Sequence, residues 1–194
     1  MAFHRRYLPH LYVTDRAVFV TWRLHGSLPT NRHFDRATLT SGEAFVAMDR
    51  LLDGATLGPL YLRRPEVAKV VVEAIQFNSS NLGHYTLHAF VIMPNHVHLL
   101  ASPLVPLPQM MKSLKSITAK RANALLRLTG NPFWQEESYD HLVRDDREFE
   151  RIQSYIENNP VRAGLVSSAD QFLWSSAGGA TRESPADRGS APQD

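Results

Sequence analysis

The stretch FVIMPNHVHLL, residues 90–100, contains the pattern that decides the fold. Two apolar runs lie on either side of a Met-Pro-Asn turn signal, so we expect two antiparallel strands, over 84–92 and 95–101, joined as a hairpin. Side chains alternate between the two faces of a strand. His96 and His98 should therefore point to one face, and the apolar residues between and after them to the other.

The two histidines have two possible explanations. Two imidazoles at neighbouring same-side positions of one strand can share a metal ion. Alternatively, one ring faces solvent and the other hydrogen-bonds to the backbone, which is the commoner case for an isolated His-x-His pattern. The stretch alone does not decide between these explanations.

A second motif, YIENNPVRAGLV at 155–166, favours the metal site. Together with MPNHVHLL at 93–100, it closely resembles the REP-associated tyrosine transposases, a branch of the single-tyrosine HUH nucleases. The two motifs stand in the family's order and rough separation. Smaller similarities are FVTWRL at 19–24, FWQ at 133–135 and WSS at 174–176, so the resemblance covers roughly residues 5 to 176.

The resemblance implies a metal-dependent transposase or endonuclease that cleaves and rejoins single-stranded DNA at hairpin-forming palindromic repeats, such as REP elements. The reaction would pass through a 5′-phosphotyrosine intermediate, with Tyr155 as the nucleophile. His96 and His98 would bind the metal, and Asn159 takes the place of the family's third ligand. An amide oxygen suits a hard cation, so we expect Mg²⁺ or Mn²⁺. Because these ligands are uncharged, we expect a weak site in which the DNA phosphate supplies much of the binding.

Tyr155 and Asn159 are four residues apart, so on a helix both side chains project from one face. We expect this helix to begin at Asp145 or Asp146 and to end near residue 158, because Pro160 disfavours helical backbone at the residue before it. Asn159 could then also cap the helix, and its neighbour Asn158 would be the ligand if the register shifted by one.

The distribution of charge is more informative than the net charge of +2 or the pI of 9.0. No Asp or Glu occurs from residue 74 to residue 135, and several Lys and Arg residues lie within that stretch. Such a local positive field attracts a polyanion, although a basic face exposed only to solvent is the ordinary alternative. The residues that we expect to contact DNA are Lys112, Lys115, Lys120, Arg121 and Arg162.

The alternation of strands and helices predicts an α+β fold. We expect an antiparallel sheet of four to five strands with helices packed on one side, which is also the ferredoxin-like or RRM-like arrangement that the resemblance implies. Other expected elements are a strand over 17–24 and helices over 41–52, from 65, and over 107–128. A single domain should span 1–176, followed by a disordered tail over 177–194 rich in Gly, Ala, Ser and Pro.

Several classes of protein are disfavoured by composition. The chain has no cysteine, no apolar run long enough for a bilayer and no secretory signal near its start, so we expect a cytoplasmic, nucleoid-associated bacterial protein. A monomer is favoured, although a dimer is possible. Two other functions stay open: a catalytically weak module that binds DNA hairpins and regulates, and a metallohydrolase using His-x-His with a carboxylate. The lack of nearby acidic residues argues against the second.

Overall fold

The computed structural model describes residues 16–28, 41–54 and 58–179. Within these residues, four strands form one antiparallel sheet with the order β2-β3-β1-β4, and four α-helices accompany it. The strands are β1 (Val18–Leu24), β2 (Tyr85–Ile92), β3 (His96–Pro103) and β4 (Trp134–Leu142). The helices are α1 (Ser41–Asp53), α2 (Pro65–Ser80), α3 (Leu107–Leu126) and α4 (Asp146–Arg162). The predicted α+β class is confirmed.

The order β1-α2-β2-β3-α3-β4 is that of a ferredoxin-like fold, to which α1 and α4 are added. These two helices correct one expectation, because the helices cover both faces of the sheet. In β1, Val20 packs in a core with α2 and α3, whereas Phe19 packs in a second core with α1 and α4. Both central strands carry apolar side chains on each face, so each face requires a covering layer.

The predicted hairpin is present and sets the position of the histidines. β2 and β3 pair antiparallel with Ile92 opposite Val97, and the Met93 amide donates to the His96 carbonyl at 2.9 Å across the turn. β1 pairs with the other edge of β3, with Thr21 opposite His98. The His-x-His segment therefore lies in a central strand of the sheet.

Helix α4 corrects a second expectation, because it continues through Pro160 to Arg162. Proline cannot donate a backbone hydrogen bond, which removes one bond of the helical ladder. The Ala163 amide nevertheless donates to the Asn159 carbonyl at 2.9 Å, so the helical backbone resumes beyond the proline. Asn159 thus lies inside the helix and is not its C-terminal cap.

The C-terminal part of the described chain returns to the sheet. Ser175 forms an isolated antiparallel bridge with Val91 on the outer edge of β2. The Ile92 amide donates to the Trp174 carbonyl at 2.8 Å, and the Ser176 amide donates to the Phe90 carbonyl at 2.9 Å. Residues 180–194, most of the predicted tail, lie outside the described residues. Of the helices in the described ranges, none combines the length and apolarity needed to cross a membrane.

Candidate active site

Four polar side chains meet on the sheet face that α1 and α4 cover. Asp49 comes from α1, His96 and His98 from β3, and Asn159 from α4. All four are buried, with at most 1% of each residue exposed. Asp49 Oδ1 lies 3.1 Å from His98 Nε2 and 3.5 Å from His96 Nε2, and the two Nε2 atoms are 3.1 Å apart. Buried polar groups this close together require a specific partner or function.

Each histidine is oriented through its Nδ1 atom. His96 Nδ1 lies 2.7 Å from Asn95 Oδ1, and the Asn95 amide nitrogen donates to the Leu52 carbonyl at 3.0 Å. Since that amide oxygen can only accept, His96 carries its proton on Nδ1 and presents a lone pair on Nε2. His98 Nδ1 lies 2.7 Å from Thr21 Oγ1, which orients the second ring in the same way. Such contacts orient metal-binding imidazoles in many proteins.

Asp49 joins the histidines to the tyrosine helix. Its Oδ1 atom faces the two imidazoles without a well-aligned hydrogen bond, while its Oδ2 atom accepts a hydrogen bond from the Tyr155 hydroxyl. The Asn159 amide nitrogen lies 3.4 Å from Asp49 Oδ2 and also 3.4 Å from His98 Nε2. The predicted common face of Tyr155 and Asn159 on α4 thus points at this carboxylate.

Burial and neighbouring charges set the protonation of the site. Burial, followed by the nearby His98, lowers the pKa of His96 to about 3, so this ring is neutral at neutral pH. For Asp49, burial alone would raise the pKa, but the close approach of His98, whose Nε2 atom is 3.1 Å away, holds it below its usual value. Burial and the adjacent Asp49 raise the pKa of Asp53 to about 6. The site therefore contains a neutral imidazole beside an ionised carboxylate.

The donor set fits a divalent cation. Asp49, His96 and His98 form a group whose ligand atoms all lie within 4.8 Å of one another. Asp49 Oδ1 and Asn159 Oδ1 are both buried acceptors without a hydrogen-bond partner, which is a costly arrangement unless a cation or a donor satisfies them. Two imidazoles with one carboxylate suit Mn²⁺ or another divalent transition metal, and the added amide oxygen also suits Mg²⁺.

Tyr155 lies between this group and an open cleft. Rings of Phe19, Phe45 and His98 surround it, with centroids 6.2, 6.1 and 5.8 Å away. The Arg162 guanidinium lies 4.6 Å from the centroid of the Tyr155 ring, on the same helix. The cleft has a volume of about 700 Å³, and apolar and aromatic side chains line much of its wall, with Arg144 and Arg151 among its polar members.

The predicted DNA-binding lysines and arginines lie in different surroundings. Lys112 and Lys120 are exposed on α3, which packs on the sheet face opposite the histidines. Lys115 is held internally, because its ammonium donates to the carbonyls of Gln135 and Glu136 at 3.0 and 2.9 Å. Burial lowers the pKa of Lys115 to about 8.

Arg121 forms a 2.6 Å ion pair with Glu73 of α2. Of the five predicted basic contacts, Arg162 is the one that touches the active-site cluster, through the Tyr155 ring. The alternative ligand Asn158 is exposed and donates to the Ser154 carbonyl at 2.9 Å, so the register did not shift.

Sequence reasoning missed Asp49, although the sequence contains a usable signal. Phe45, Met48 and Leu52 form the apolar stripe of α1, and Asp49 occupies the stripe position between them, four residues after Phe45 and three before Leu52. A charged residue within a buried stripe needs a partner. The argument that no acidic residue lies near the histidines was wrong, because the fold brings one from a helix that precedes them by 47 residues, counted from Asp49 to His96.

Comparison with known proteins identifies the class of enzyme. Residues 62–159, half of the chain, match the family model described as transposase IS200-like. The chain belongs to the IS200-like transposase family, whose members are DNA-processing enzymes. The matched region includes both histidines, Tyr155 and Asn159, and it begins after Asp49.

Among solved structures, the fold is similar to that of a REP-associated tyrosine transposase bound to a REP hairpin. The two are 17% identical, the match covers 100% of this chain and 94% of that one, and the TM-score is 0.56. A putative transposase from Deinococcus radiodurans is 19% identical over 82% of this chain and 98% of that one, with a TM-score of 0.38. No curated protein matches the chain.

Proposed function

We propose that this transposase cleaves and rejoins single-stranded DNA beside a hairpin, with Tyr155 forming a 5′-phosphotyrosine bond. The observation that carries the proposal is the position of the Tyr155 hydroxyl. It shares the Asp49 carboxylate with His98 and lies at the boundary between the histidine cluster and an open cleft. A metallohydrolase that uses water as its nucleophile has no need of a phenol at this position.

The metal would be held by His96, His98 and Asn159. A bound divalent cation supplies Lewis acidity that polarises the phosphate oxygens. The Nε2 atoms of both imidazoles face one space, 3.1 Å apart, and that of His96 presents a lone pair because Asn95 engages its Nδ1 atom. Rotation of the Asn159 amide by half a turn would place its oxygen where the nitrogen now faces His98.

The cleft beside Tyr155 supports a single-stranded substrate. Unpaired bases stack on aromatic and apolar walls, and arginines contact the backbone phosphates. The walls here include Phe45, Tyr139 and Ile152. The similarly folded REP-associated transposase was solved with a REP hairpin, and we extend hairpin binding to this chain.

The reaction needs one bond to form as another breaks. The Tyr155 oxygen attacks the scissile phosphorus, and the bond from phosphorus to the departing 3′ oxygen breaks. The phenol proton passes to Asp49 Oδ2, which already accepts its hydrogen bond, and the 3′ oxygen takes a proton from water. Arg162, over the tyrosine ring, is placed to stabilise developing negative charge. Attack by a 3′ hydroxyl reverses these steps and rejoins the strand.

The test is covalent capture of DNA. The full chain is incubated with labelled single-stranded hairpin oligonucleotides from the flanks of its own gene, with Mg²⁺ or Mn²⁺, and the products are run on a denaturing protein gel. We expect a metal-dependent adduct that disappears in Tyr155→Phe and in His96→Ala. Tyr155→Phe should still bind DNA, which fluorescence anisotropy measures. The phenol oxygen is needed to form the phosphotyrosine bond, and DNA binding does not depend on it.

The outcomes separate the remaining functions. An adduct of equal yield in Tyr155→Phe would rule out this nucleophile. Tight hairpin binding by the unaltered protein without any adduct would favour a regulatory binding module. Metal-dependent cleavage that Tyr155→Phe leaves intact would favour a metallohydrolase, to which Asp49 would supply the carboxylate.

A further inference from the structure

Asp49 is a carboxylate that the motifs of the family region do not include. It precedes the residues that match the family model, and α1 delivers it to the two histidines of β3. Only 1% of the surface of Asp49 is exposed, so its carboxylate is not a surface charge. An ionised group so deeply buried must be compensated by another charge or by several donors.

Asp49 Oδ1 has no well-aligned hydrogen-bond donor, although His98 Nε2 lies 3.1 Å away. Because Asn95 fixes the proton of His96 on Nδ1, the Nε2 atom 3.5 Å from Asp49 Oδ1 is a lone pair. The Asn159 amide nitrogen lies near Oδ2 and not Oδ1, and the Tyr155 hydroxyl donates to Oδ2. One carboxylate oxygen thus accepts a hydrogen bond from α4, while the other faces both imidazoles in a buried space without an aligned donor.

We propose that Asp49 is an anionic metal ligand that loads the site before DNA arrives, and that the same carboxylate holds the nucleophile next to the ion. Its Oδ1 atom would join His96 and His98 on the cation, while Oδ2 keeps the Tyr155 hydroxyl in place. The second half of this inference rests on the proposed function of Tyr155. The first half, metal binding without DNA, does not.

The charge balance supports this order of binding. Two imidazoles and an amide leave both positive charges of a divalent ion uncompensated, and such a site would depend on the DNA phosphate. A buried carboxylate removes one of those charges, so the ion gains a strong attraction in a space of low dielectric before any substrate is present. Under this proposal the ion binds in the resting enzyme, whereas the sequence alone led us to expect a weak site completed by DNA.

The position of Asp49 is fixed by its helix. The end of α1 is bound to the hairpin turn, because the Leu52 carbonyl accepts the hydrogen bond from Asn95. Earlier in the helix, Phe45 packs edge-on against Phe19 of β1, with centroids 5.2 Å apart. Asp49 lies between these two anchors, which restricts the carboxylate to the space beside the histidines.

The experiment is a calorimetric titration of Mn²⁺ into the full chain in the absence of DNA. The variants are Asp49→Asn, which keeps the shape of the side chain, and Tyr155→Phe, which removes the hydroxyl. Asp53→Asn tests the second acid of α1, because Asp53 Oδ1 is also buried without a hydrogen-bond partner and lies 3.9 Å from His96 Nε2. We expect Mn²⁺ binding by the unaltered protein and at least about tenfold weaker binding by Asp49→Asn, with smaller losses in Tyr155→Phe and Asp53→Asn, which keep the Asp49 carboxylate.

Two results would overturn the inference. One is Mn²⁺ binding by Asp49→Asn that equals the unaltered protein. The other is an unaltered protein that binds Mn²⁺ only after hairpin DNA is added. If Asp49→Asn does not fold, crystals of the unaltered protein grown with Mn²⁺ provide a second test. Anomalous scattering then shows which residues bind the ion. An ion within bonding distance of Asp49 supports the inference, and an ion held by the other residues alone contradicts it.

Failure of the inference and failure of the proposed function give different results. If Asp49 binds the metal but no DNA adduct forms, the metal site is supported and the proposed tyrosine chemistry is contradicted. The opposite result is a Tyr155-dependent adduct together with Mn²⁺ binding by Asp49→Asn that equals that of the unaltered protein. It would support the tyrosine chemistry and contradict the role of Asp49 as a metal ligand.

Discussion

Asn95 makes two hydrogen bonds that no apolar side chain could replace. Its oxygen accepts from His96 Nδ1, and its nitrogen donates to the Leu52 carbonyl at the end of α1. The residue is buried, with 1% exposed. One amide therefore orients a histidine of the site and also attaches the helix that carries Asp49.

We expect Asn95→Ala to weaken both metal binding and folding. The imidazole loses the partner that fixes its tautomer, so Mn²⁺ affinity should fall by about 10- to 100-fold. The Leu52 carbonyl and His96 Nδ1 lose their partners in a buried setting, which should lower the free energy of unfolding by about 1–3 kcal/mol. Calorimetric titration measures the first quantity, and urea denaturation without metal measures the second.

Asn158→Ala is the control for that substitution. Asn158 is exposed on α4 next to the predicted ligand, and its side chain bonds only within its own helix, to Ser154. Its replacement should change the free energy of unfolding by less than about 0.5 kcal/mol and leave Mn²⁺ affinity unaltered. Equal effects of the two alanine variants on Mn²⁺ affinity would show that Asn95 does not orient His96.

One buried acid, Glu148, connects the start of α4 to β4. The Glu148 carboxylate accepts hydrogen bonds from the backbone and side chain of Arg144, and from Arg151 at 3.1 Å. It also lies 3.2 Å from Nε2 of His141 on β4. The hydrogen bonds from Arg144, first among these contacts, lower the pKa of Glu148 to about 2 even though burial opposes the shift.

This lowered pKa gives a stability difference that depends on pH. An unfolded glutamate has a pKa of about 4.3. Since the folded value is lower, the ionised carboxylate stabilises the fold above the unfolded pKa, and the effect is lost as the pH falls towards the folded value. Glu148→Gln should therefore lower the free energy of unfolding by roughly 2 kcal/mol at pH 7. Between about pH 4 and pH 2 the difference from the unaltered protein should shrink.

Urea denaturation at several pH values measures the effect. Glu150→Gln is the control, because Glu150 is exposed on the same helix and has an ordinary solvent-facing position. A difference for Glu148→Gln that stays constant from pH 7 to pH 2.5 would mean that its charge does not contribute to stability.

Elements with a strong periodic signal could be predicted from sequence, and the others could not. The hairpin and the helices α1, α2 and α3 follow apolar patterns, and their observed bounds lie close to the expected ones. The strand β4 reads WQEESYDHL, and most of its side chains are exposed or only partly buried, so an apolar alternation is absent. It pairs with β1 through backbone hydrogen bonds, which form with almost any residue type and so cannot be recognised in the sequence.

In the active site, too, some residues could be predicted from sequence and one could not. His96, His98, Tyr155 and Asn159 belong to two local motifs, and the fold brings these motifs together as expected. Asp49 belongs to no motif, because its partnership with the histidines exists only after α1 packs on the sheet. Long-range pairing of this kind depends on tertiary packing, and the local sequence records it only as a charge within an apolar stripe.

At the scale of the whole molecule, the segment 174–176 returns to the edge of the sheet. It forms two backbone hydrogen bonds with β2, and Trp174 packs against the core that contains α2 and α3. We propose that the domain ends at residue 176, as the sequence predicts. A chain shortened after Gly179 should therefore unfold at the same urea concentration as the full chain.

A chain shortened after Leu173 should differ. It lacks two backbone bonds and the Trp174 contacts, so its free energy of unfolding should fall by roughly 2 kcal/mol or more. The uncovered edge of β2 should also increase self-association, which sedimentation velocity detects. Equal stability of both shortened chains would place the domain boundary before Trp174.

The site draws its side chains from segments far apart in the chain, with 106 residues between Asp49 and Tyr155. At roughly 5–20 residues per second, a ribosome needs several seconds to pass from one to the other. The histidines are synthesised about midway through that interval, and Tyr155, the proposed nucleophile, comes last. If Tyr155 is the nucleophile, as we propose, a translation product that stops short of α4 cannot cleave DNA, and the activity appears only when synthesis of the domain is nearly complete.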